Sequence, residues 1–118
     1  LLDLLEAAES GDVSGVKVDW PDNAAVCVVM ASGGYPGSYE KGKPIAGLGN
    51  CAENVAVFHA GTKLDGESVV TSGGRVLGVT ATAPTVTEAV AAAYGCCEKI
   101  TWDGAYYRKD IAKRAINN

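Results

Sequence analysis

Residues 85–100 carry the pattern that most restricts how this chain can fold. Thr85-Val86-Thr87-Glu88 has the spacing of a capping box, in which a Thr hydroxyl and a Glu carboxylate each satisfy a free backbone N–H. Ala89, Val90, Ala93, Tyr94, Cys97 and Ile100 follow at three- and four-residue steps. That period predicts an amphipathic helix over residues 86–99, packed through Ala89, Val90, Ala93 and Cys97. Gly95 inside it costs about 1 kcal/mol relative to Ala, so close packing is expected there. A helix with one apolar face needs a surface to lie on, and the segments before it read as a sheet.

Ala24 to Ala31 is a continuous apolar run rich in β-branched residues, the pattern of a strand buried on both faces. It ends in Ser32-Gly33-Gly34-Tyr35-Pro36-Gly37-Ser38-Tyr39, a loop with three glycines and a proline. A short strand fits Lys43 to Gly47, and Leu48 to Asn54 reads as a connection. Val55 to Ala60 is a second apolar strand, running into His59-Ala60-Gly61-Thr62. Leu64-Asp65-Gly66-Glu67 is a hairpin signal before Ser68 to Thr71, and Ser72-Gly73-Gly74 is another before Arg75 to Ala83. The spacing over 55–83 indicates an antiparallel meander. At the start, residues 1–9 form one apolar helical face that Ser10-Gly11 stops. Val16, Val18 and Trp20 alternate before a turn at Pro21-Asp22-Asn23. Beyond the central helix, Ile100 to Trp102 reads as a short strand and Asp110 to Ile116 as a terminal helix. The fold class is α+β, a mostly antiparallel sheet with helices packed on one face. No internal repeat interrupts that order.

The 118 residues suit one domain with a single core. Ten basic against 14 acidic residues leave a net charge of −4, which argues against phosphate-driven nucleic-acid binding. The charge is uneven: Asp3, Glu6, Glu9, Asp12 and Asp19 crowd the start, whereas Arg108, Lys109, Lys113 and Arg114 sit near the end. Intermixed charges on a short terminal helix read as a solvated face. No apolar stretch of about 18 residues is present, so no membrane span is expected. Acids within the opening Leu-rich run speak against a signal peptide. The chain opens on Leu1 rather than Met, and is expected to continue from sequence upstream. Cys27, Cys51, Cys96 and Cys97 match neither a metal-binding nor a disulfide pattern, and His59 is the lone histidine. They read as reduced, small apolar packers in a cytosolic protein.

The residues by themselves offer no free-standing catalytic constellation. Gly33-Gly34-Tyr35-Pro36-Gly37 follows a strand but lacks both the Gly-Lys-Ser/Thr ending of a P-loop and the Gly-x-Gly-x-x-Gly spacing. Gly73-Gly74-Arg75 joins a flexible backbone to a guanidinium that can hold a phosphate oxygen bidentately; an ordinary surface arginine fits the pattern equally well. His59, in an apolar strand, reads as a hydrogen-bonded core residue. Tyr35, Tyr39, Tyr106 and Tyr107 read as packing groups rather than base-stacking platforms.

Four segments together carry a family resemblance. These are Val29-Met30-Ala31-Ser32-Gly33-Gly34-Tyr35-Pro36-Gly37-Ser38-Tyr39, Phe58-His59-Ala60-Gly61-Thr62, Gly73-Gly74-Arg75-Val76-Leu77-Gly78-Val79-Thr80-Ala81, and Tyr107-Arg108-Lys109-Asp110-Ile111 through Arg114-Ala115-Ile116. In this order and spacing they resemble the C-terminal domain of glycinamide ribonucleotide synthetases, also called phosphoribosylamine–glycine ligases, which are ATP-grasp enzymes of purine synthesis. The resemblance covers nearly the whole chain.

It implies a carbon–nitrogen ligase that makes glycinamide ribonucleotide from 5-phosphoribosylamine, glycine and ATP. A carboxylate resists amines until phosphorylation provides a leaving group, which is why such a reaction consumes ATP. In the family, ATP and Mg (or Mn) are bound mainly by upstream domains, so this chain by itself is expected to be inactive, with no catalytic or metal-ligating residue of its own. Its partners would be the rest of the ligase chain, and glycine and 5-phosphoribosylamine would be the small-molecule substrates; the expected compartment is the cytoplasm. Residues 1–18 resemble the tail of the central ATP-grasp domain, and 19–118 the C-terminal domain. By similarity to related enzymes, Arg75 and Gly74 would meet the ribose phosphate, and the Gly61-Thr62 turn would supply backbone or hydroxyl donors. His59, Tyr35 and Gly37 complete the implied substrate site. The competing reading is a non-catalytic binding or assembly module that kept this fold.

Overall fold

The structure, a computed structural model, describes residues 1–116; positions 117 and 118 of the expected 19–118 domain lie outside the described residues. Helix α2 (Val86–Cys97) begins as its sequence dictates. The Glu88 N–H donates to the Thr85 hydroxyl at 3.2 Å, and the Thr85 N–H donates to the Glu88 carboxylate at 3.1 Å. Ala89, Ala93, Cys96 and Cys97 are buried, with Val90 only partly covered. Cys96 takes the fourth core position expected of Val90. Such a cap contributes about 1 kcal/mol, whereas each large sheet side chain in the core that α2 helps to cover, Val28, Met30 and Val79 among them, contributes about 1.5–3 kcal/mol when removed from water. Burial against the sheet is therefore what holds α2 in place.

That sheet has the order β2-β5-β1-β6, built from β1 (Ala24–Ser32), β2 (Val55–His59), β5 (Arg75–Ala83) and the two-residue β6 (Ala105–Tyr106). All of its pairings are antiparallel. Val26, Val28 and Met30 of β1 and Val79 and Ala81 of β5 point into one core with Ile100 and Trp102. The mixed helix and antiparallel-sheet class is as expected. The expected meander is not: β3 (Thr62–Asp65) and β4 (Ser68–Thr71) pair with each other as a hairpin outside that sheet, and the other edge of β4 bonds residues 43–45 through the Pro44–Val70 bridge. The chain leaves the sheet after β2, turns through this hairpin and returns as β5 beside β2. Gly61 forms the neck of the excursion, donating its N–H to Arg75 O at 2.9 Å and accepting from Ser72 N at 2.8 Å. A Cβ on Gly61 would lie 2.7 Å from Gly73 Cα, so two backbones meet where no side chain fits.

Several local expectations shift for the same reason, because neighbours decide the outcome. β1 is not buried on both faces: Ala25, Cys27 and Val29 alternate outward, because α2 covers only one side of the sheet. Residues 43–47 form isolated bridges through Pro44 and Ala46 rather than a strand, and Thr101 pairs with Ala46 alone. The terminal helix contracts to α3 (Lys113–Ile116). Helix α1 (Leu2–Ser10) ends at Gly11, whose φ of 86° lets its N–H reach back to Ala7 and Ala8; none of its side chains is buried.

The cysteines depart furthest from expectation. Cys51 and Cys96 form a disulfide across a separation of 45 residues, joining the connection before β2 to the last turn of α2. No spacing rule exposes such a pair, since the sheet brings the two cysteines together. Closing a loop of this length contributes about 4 kcal/mol on a chain-entropy view. Cys97 is free and buried, whereas Cys27 is free and exposed on the open sheet face.

Gly95 also departs from expectation. A Cβ there meets nothing within 4 Å, so no close contact demands glycine within this domain. Gly95→Ala is accordingly expected to raise unfolding free energy by about 1 kcal/mol, through helix propensity alone. Chemical denaturation checks this, and a loss of stability would show a packing demand on that face.

Candidate functional site

The face of the sheet opposite α2 is open, and its character comes from a register irregularity. Met30 faces Leu77, yet the next residue, Ala31, faces Arg75, leaving Val76 as an extra residue in β5. Val76 and Leu77 are consecutive and both buried. Regular alternation would place Arg75 on the same side as Leu77, toward the core. The bulge reverses that parity and delivers the guanidinium to the open face, beside Val29.

Two clefts flank Arg75. The larger, about 560 Å³, is lined by Tyr35, His59, Gly61, Gly74 and Arg75, with Val29, Phe58 and Gly78 as its floor. Gly78 pairs with Val29 on one side and Phe58 on the other, so the missing side chain makes the hollow between two apolar ones. The smaller cleft, about 380 Å³, shares Val29, Tyr35 and Arg75 and adds Tyr106, Tyr107, Arg108 and Ile111. Arg75 and Tyr35 thus belong to both.

The arginine's origin is held firmly. Ser32 is buried and binds the glycine turn twice, its N–H donating to Gly74 O at 2.8 Å and its hydroxyl to Gly73 O at 2.9 Å. The Tyr35 ring lies against Gly74, where a Cβ would come within 2.7 Å of Cε2 and closer still to Cδ2. Tyr39 meets Tyr35 edge-on, with ring centroids 6.2 Å apart. Arg75 forms no ion pair among the described residues, unlike Arg108, whose guanidinium grips Asp110 through bonds of 2.9 and 2.7 Å. That hydrogen bond holds the Asp110 carboxyl below its usual range and raises Arg108 further. Lys43, bonded to Glu40 at 2.8 Å and Asp103 at 3.1 Å, is likewise held in its charged form by Glu40 first and Asp103 second. Of these three cations, Arg75 alone lacks a partner carboxylate among the described residues.

The expected site residues are only partly gathered. Arg75, Gly74, Gly61, His59 and Tyr35 share the larger cleft. Thr62 reaches it through His59, whose Nδ1 lies 3.0 Å from the Thr62 hydroxyl. Gly37 lines neither cleft. His59 is exposed rather than a core residue, because β2 is an edge strand that ends beyond the cover of α2. The Gly61 N–H, considered as a ligand donor, is already given to Arg75 O, so the Thr62 hydroxyl remains from that turn. Tyr106, expected as a packing group, is 57% exposed at the rim. Gly78, Phe58, Val29, Tyr106 and Arg108 were not anticipated as lining residues. Gly78 had a readable signal, a glycine inside a strand pattern, which marks a close approach or a hollow. The others had none, since a two-residue strand and an uncovered face are invisible to periodicity.

Among the described residues no three His, Cys, Asp or Glu side chains lie together as a metal site, and no helix is long and apolar enough to cross a membrane.

Comparison with known proteins bears on this geometry. The family profile described as "Phosphoribosylglycinamide synthetase, C domain" matches residues 25–114. A phosphoribosylamine–glycine ligase of Rhizobium meliloti is 52% identical over 116 residues, covering 98% of this chain and 27% of that protein. A chloroplastic phosphoribosylamine–glycine ligase of Arabidopsis thaliana is 51% identical over 120 residues, covering 98% of this chain and 23% of that protein. The crystal structure of the Thermotoga maritima phosphoribosylamine–glycine ligase superposes with a TM-score of 0.77 at 36% identity, covering 94% of this chain and 27% of that one. The chain therefore spans about a quarter of the length of these relatives, and matches their C-terminal part.

The Tyr35–Gly74 contact gives a direct test of how the site is built. Gly74→Ala is expected to destabilise the chain by about 1–3 kcal/mol, because the ring must move. In a Tyr35→Ala background most of that penalty should vanish, giving a coupling of similar size in a double-mutant cycle by denaturation. Equal penalties in both backgrounds would show that the ring does not press on Gly74.

Proposed function

The chain belongs to the phosphoribosylglycinamide synthetase C-domain family, and from that membership we propose that it is the C-terminal part of an ATP-dependent phosphoribosylamine–glycine ligase acting in purine synthesis. The whole enzyme joins glycine to 5-phosphoribosylamine, and this domain supplies one wall of the active site. The observation that carries the reading is Arg75, an arginine with no carboxylate partner among the described residues, set by a bulge on the rim of two clefts. Its planar fork suits the phosphate of phosphoribosylamine, which accepts two N–H donors side by side. Gly74 keeps the backbone low beneath Tyr35, so the fork starts from a rigid edge and loses little freedom on binding. Thr62 does not line the larger cleft itself but bonds His59, which does, so its hydroxyl acts by orienting that imidazole. Gly37 acts at most as a brace within the loop that carries Tyr35.

Glycine and ATP, with Mg or Mn, are assigned to the remaining three-quarters of the ligase, the partner of this domain. The described residues contain no acidic cluster suited to a divalent ion. Residues 1–18 are assigned to the preceding domain and 19–118 to this one. The unburied side chains of α1 and the start of the family match at residue 25 support that division. The cytoplasm is the proposed compartment.

In the complete ligase, Arg75→Lys is expected to weaken use of phosphoribosylamine by about 1–3 kcal/mol in kcat/KM, since lysine keeps the charge but loses the fork. The constants for ATP and glycine should move far less. Steady-state kinetics with each substrate varied in turn reads this, and an unchanged phosphoribosylamine constant removes Arg75 from the site. The 118-residue chain alone should release no ADP in the presence of glycine; measurable turnover would place the nucleotide site within this domain.

A further inference from the structure

None of the four cysteines lines either cleft, and two of them form a site of their own. Cys51 lies in the connection before β2, partly accessible, and Cys96 lies in the last turn of α2, 2% exposed. Their segment is pinned at both ends without the sulfurs. On one side Ala46 and Thr101 exchange backbone bonds of 2.9 and 3.1 Å. On the other, Thr82 N donates to Asn54 O at 3.0 Å and the Asn54 amide donates to Thr82 O at 2.8 Å. Between them the Lys99 ammonium donates to Asn50 O at 3.1 Å. These bonds keep Cys51 beside Cys96 when the sulfurs are not joined, so closure is an intramolecular step at high effective concentration.

We propose that Cys51 and Cys96 constitute a reversible thiol–disulfide site that clamps the entry of edge strand β2 onto α2, while both redox states keep the fold. The co-reactant is a dithiol, or two molecules of a monothiol. One of its thiolates attacks Cys51 Sγ, the accessible sulfur; the Cys51–Cys96 bond breaks, and its electron pair leaves on Cys96 Sγ, which takes up a proton. The second thiolate, or a second molecule where the reductant is the monothiol glutathione, then attacks the reductant's own sulfur in the mixed disulfide and releases Cys51, which is protonated in turn. Two electrons and two protons pass to the protein, and the co-reactant becomes a disulfide. Oxidation runs the same steps backward with a disulfide as acceptor. In a reducing compartment, a protein disulfide of this kind is characteristically a transient, sensing one.

The neighbouring cysteines stay out of the exchange. Cys97 is buried, and its burial pushes the thiol up to about 11, which leaves almost no thiolate to compete at neutral pH. Cys27 sits across the sheet, its Sγ beside Gly78 on the open face. The consequence falls on β2, which is hydrogen-bonded on one edge only and whose far end carries Phe58 and His59 into the larger cleft.

The test equilibrates the 118-residue chain in glutathione buffers from reducing to oxidising, quenches with acid, and maps maleimide labelling by mass spectrometry. Cys51 and Cys96 should lose label together along one two-electron curve that Cys97→Ser leaves in place and Cys51→Ser abolishes. Circular dichroism of the wild-type chain in dithiothreitol should stay native, a readout that does not depend on any variant folding. Amide exchange at β2 should speed up several-fold on reduction. Labelling of both residues in the most oxidising buffer would overturn the proposal, as would a bond that dithiothreitol opens only after denaturation. Loss of the fold on reduction, or unchanged exchange at β2, would equally defeat it.

Discussion

Strand β5 is hydrogen-bonded along both edges, to β2 and to β1, and its inner face is the floor beneath α2. Strands β1 and β2 and helix α2 all take their positions from that strand. The pairing of Met30 with Leu77 and of Ala31 with Arg75 leaves Val76 without a partner in β1, and the parity of the residues before it is reversed as a result. A regular ladder would drive the Arg75 guanidinium toward the core, where an unpaired charge is prohibitively costly. The bulge thus does two things at once, filling the core with both Val76 and Leu77 and turning the arginine outward.

Around that arginine, the glycines act by what they permit to approach. Gly61 lets two backbones meet at the hairpin neck, Gly74 lets an aromatic ring rest on the chain, and Gly78 leaves a hollow between Val29 and Phe58. The cleft is therefore made mostly of absent side chains, walled by Tyr35 and by strand ends.

The two faces of the sheet divide the work. One carries α2, the buried alanines and the Cys51–Cys96 bond, and supplies the stability. The other is left open, with Phe58 60% exposed and Val29 40% exposed. Edge strand β2 connects them, since it starts next to the disulfide and ends in the cleft.

The elements themselves were legible in the residues where local physics decides. The capping box at Thr85, the three- and four-residue spacing from Ala89 to Cys97, the β-branched run of β1 and the Gly66 hairpin each form as their own sequence prescribes, because each depends on groups a few positions apart. Arg75 was also visible, as an arginine launched from two glycines, and its family motif placed it among candidate residues. Tertiary structure alone decided which face of β1 stays open, that the hairpin of Thr62 to Thr71 leaves the sheet, and that the last strand is Ala105–Tyr106. It alone decided that Cys51 reaches Cys96, that His59 faces solvent and that Arg75 crosses to the open side. The physical reason is common to all of these. Pairing register, helix coverage and cross-links join residues tens of positions apart, and no local period records which distant neighbour a residue will meet.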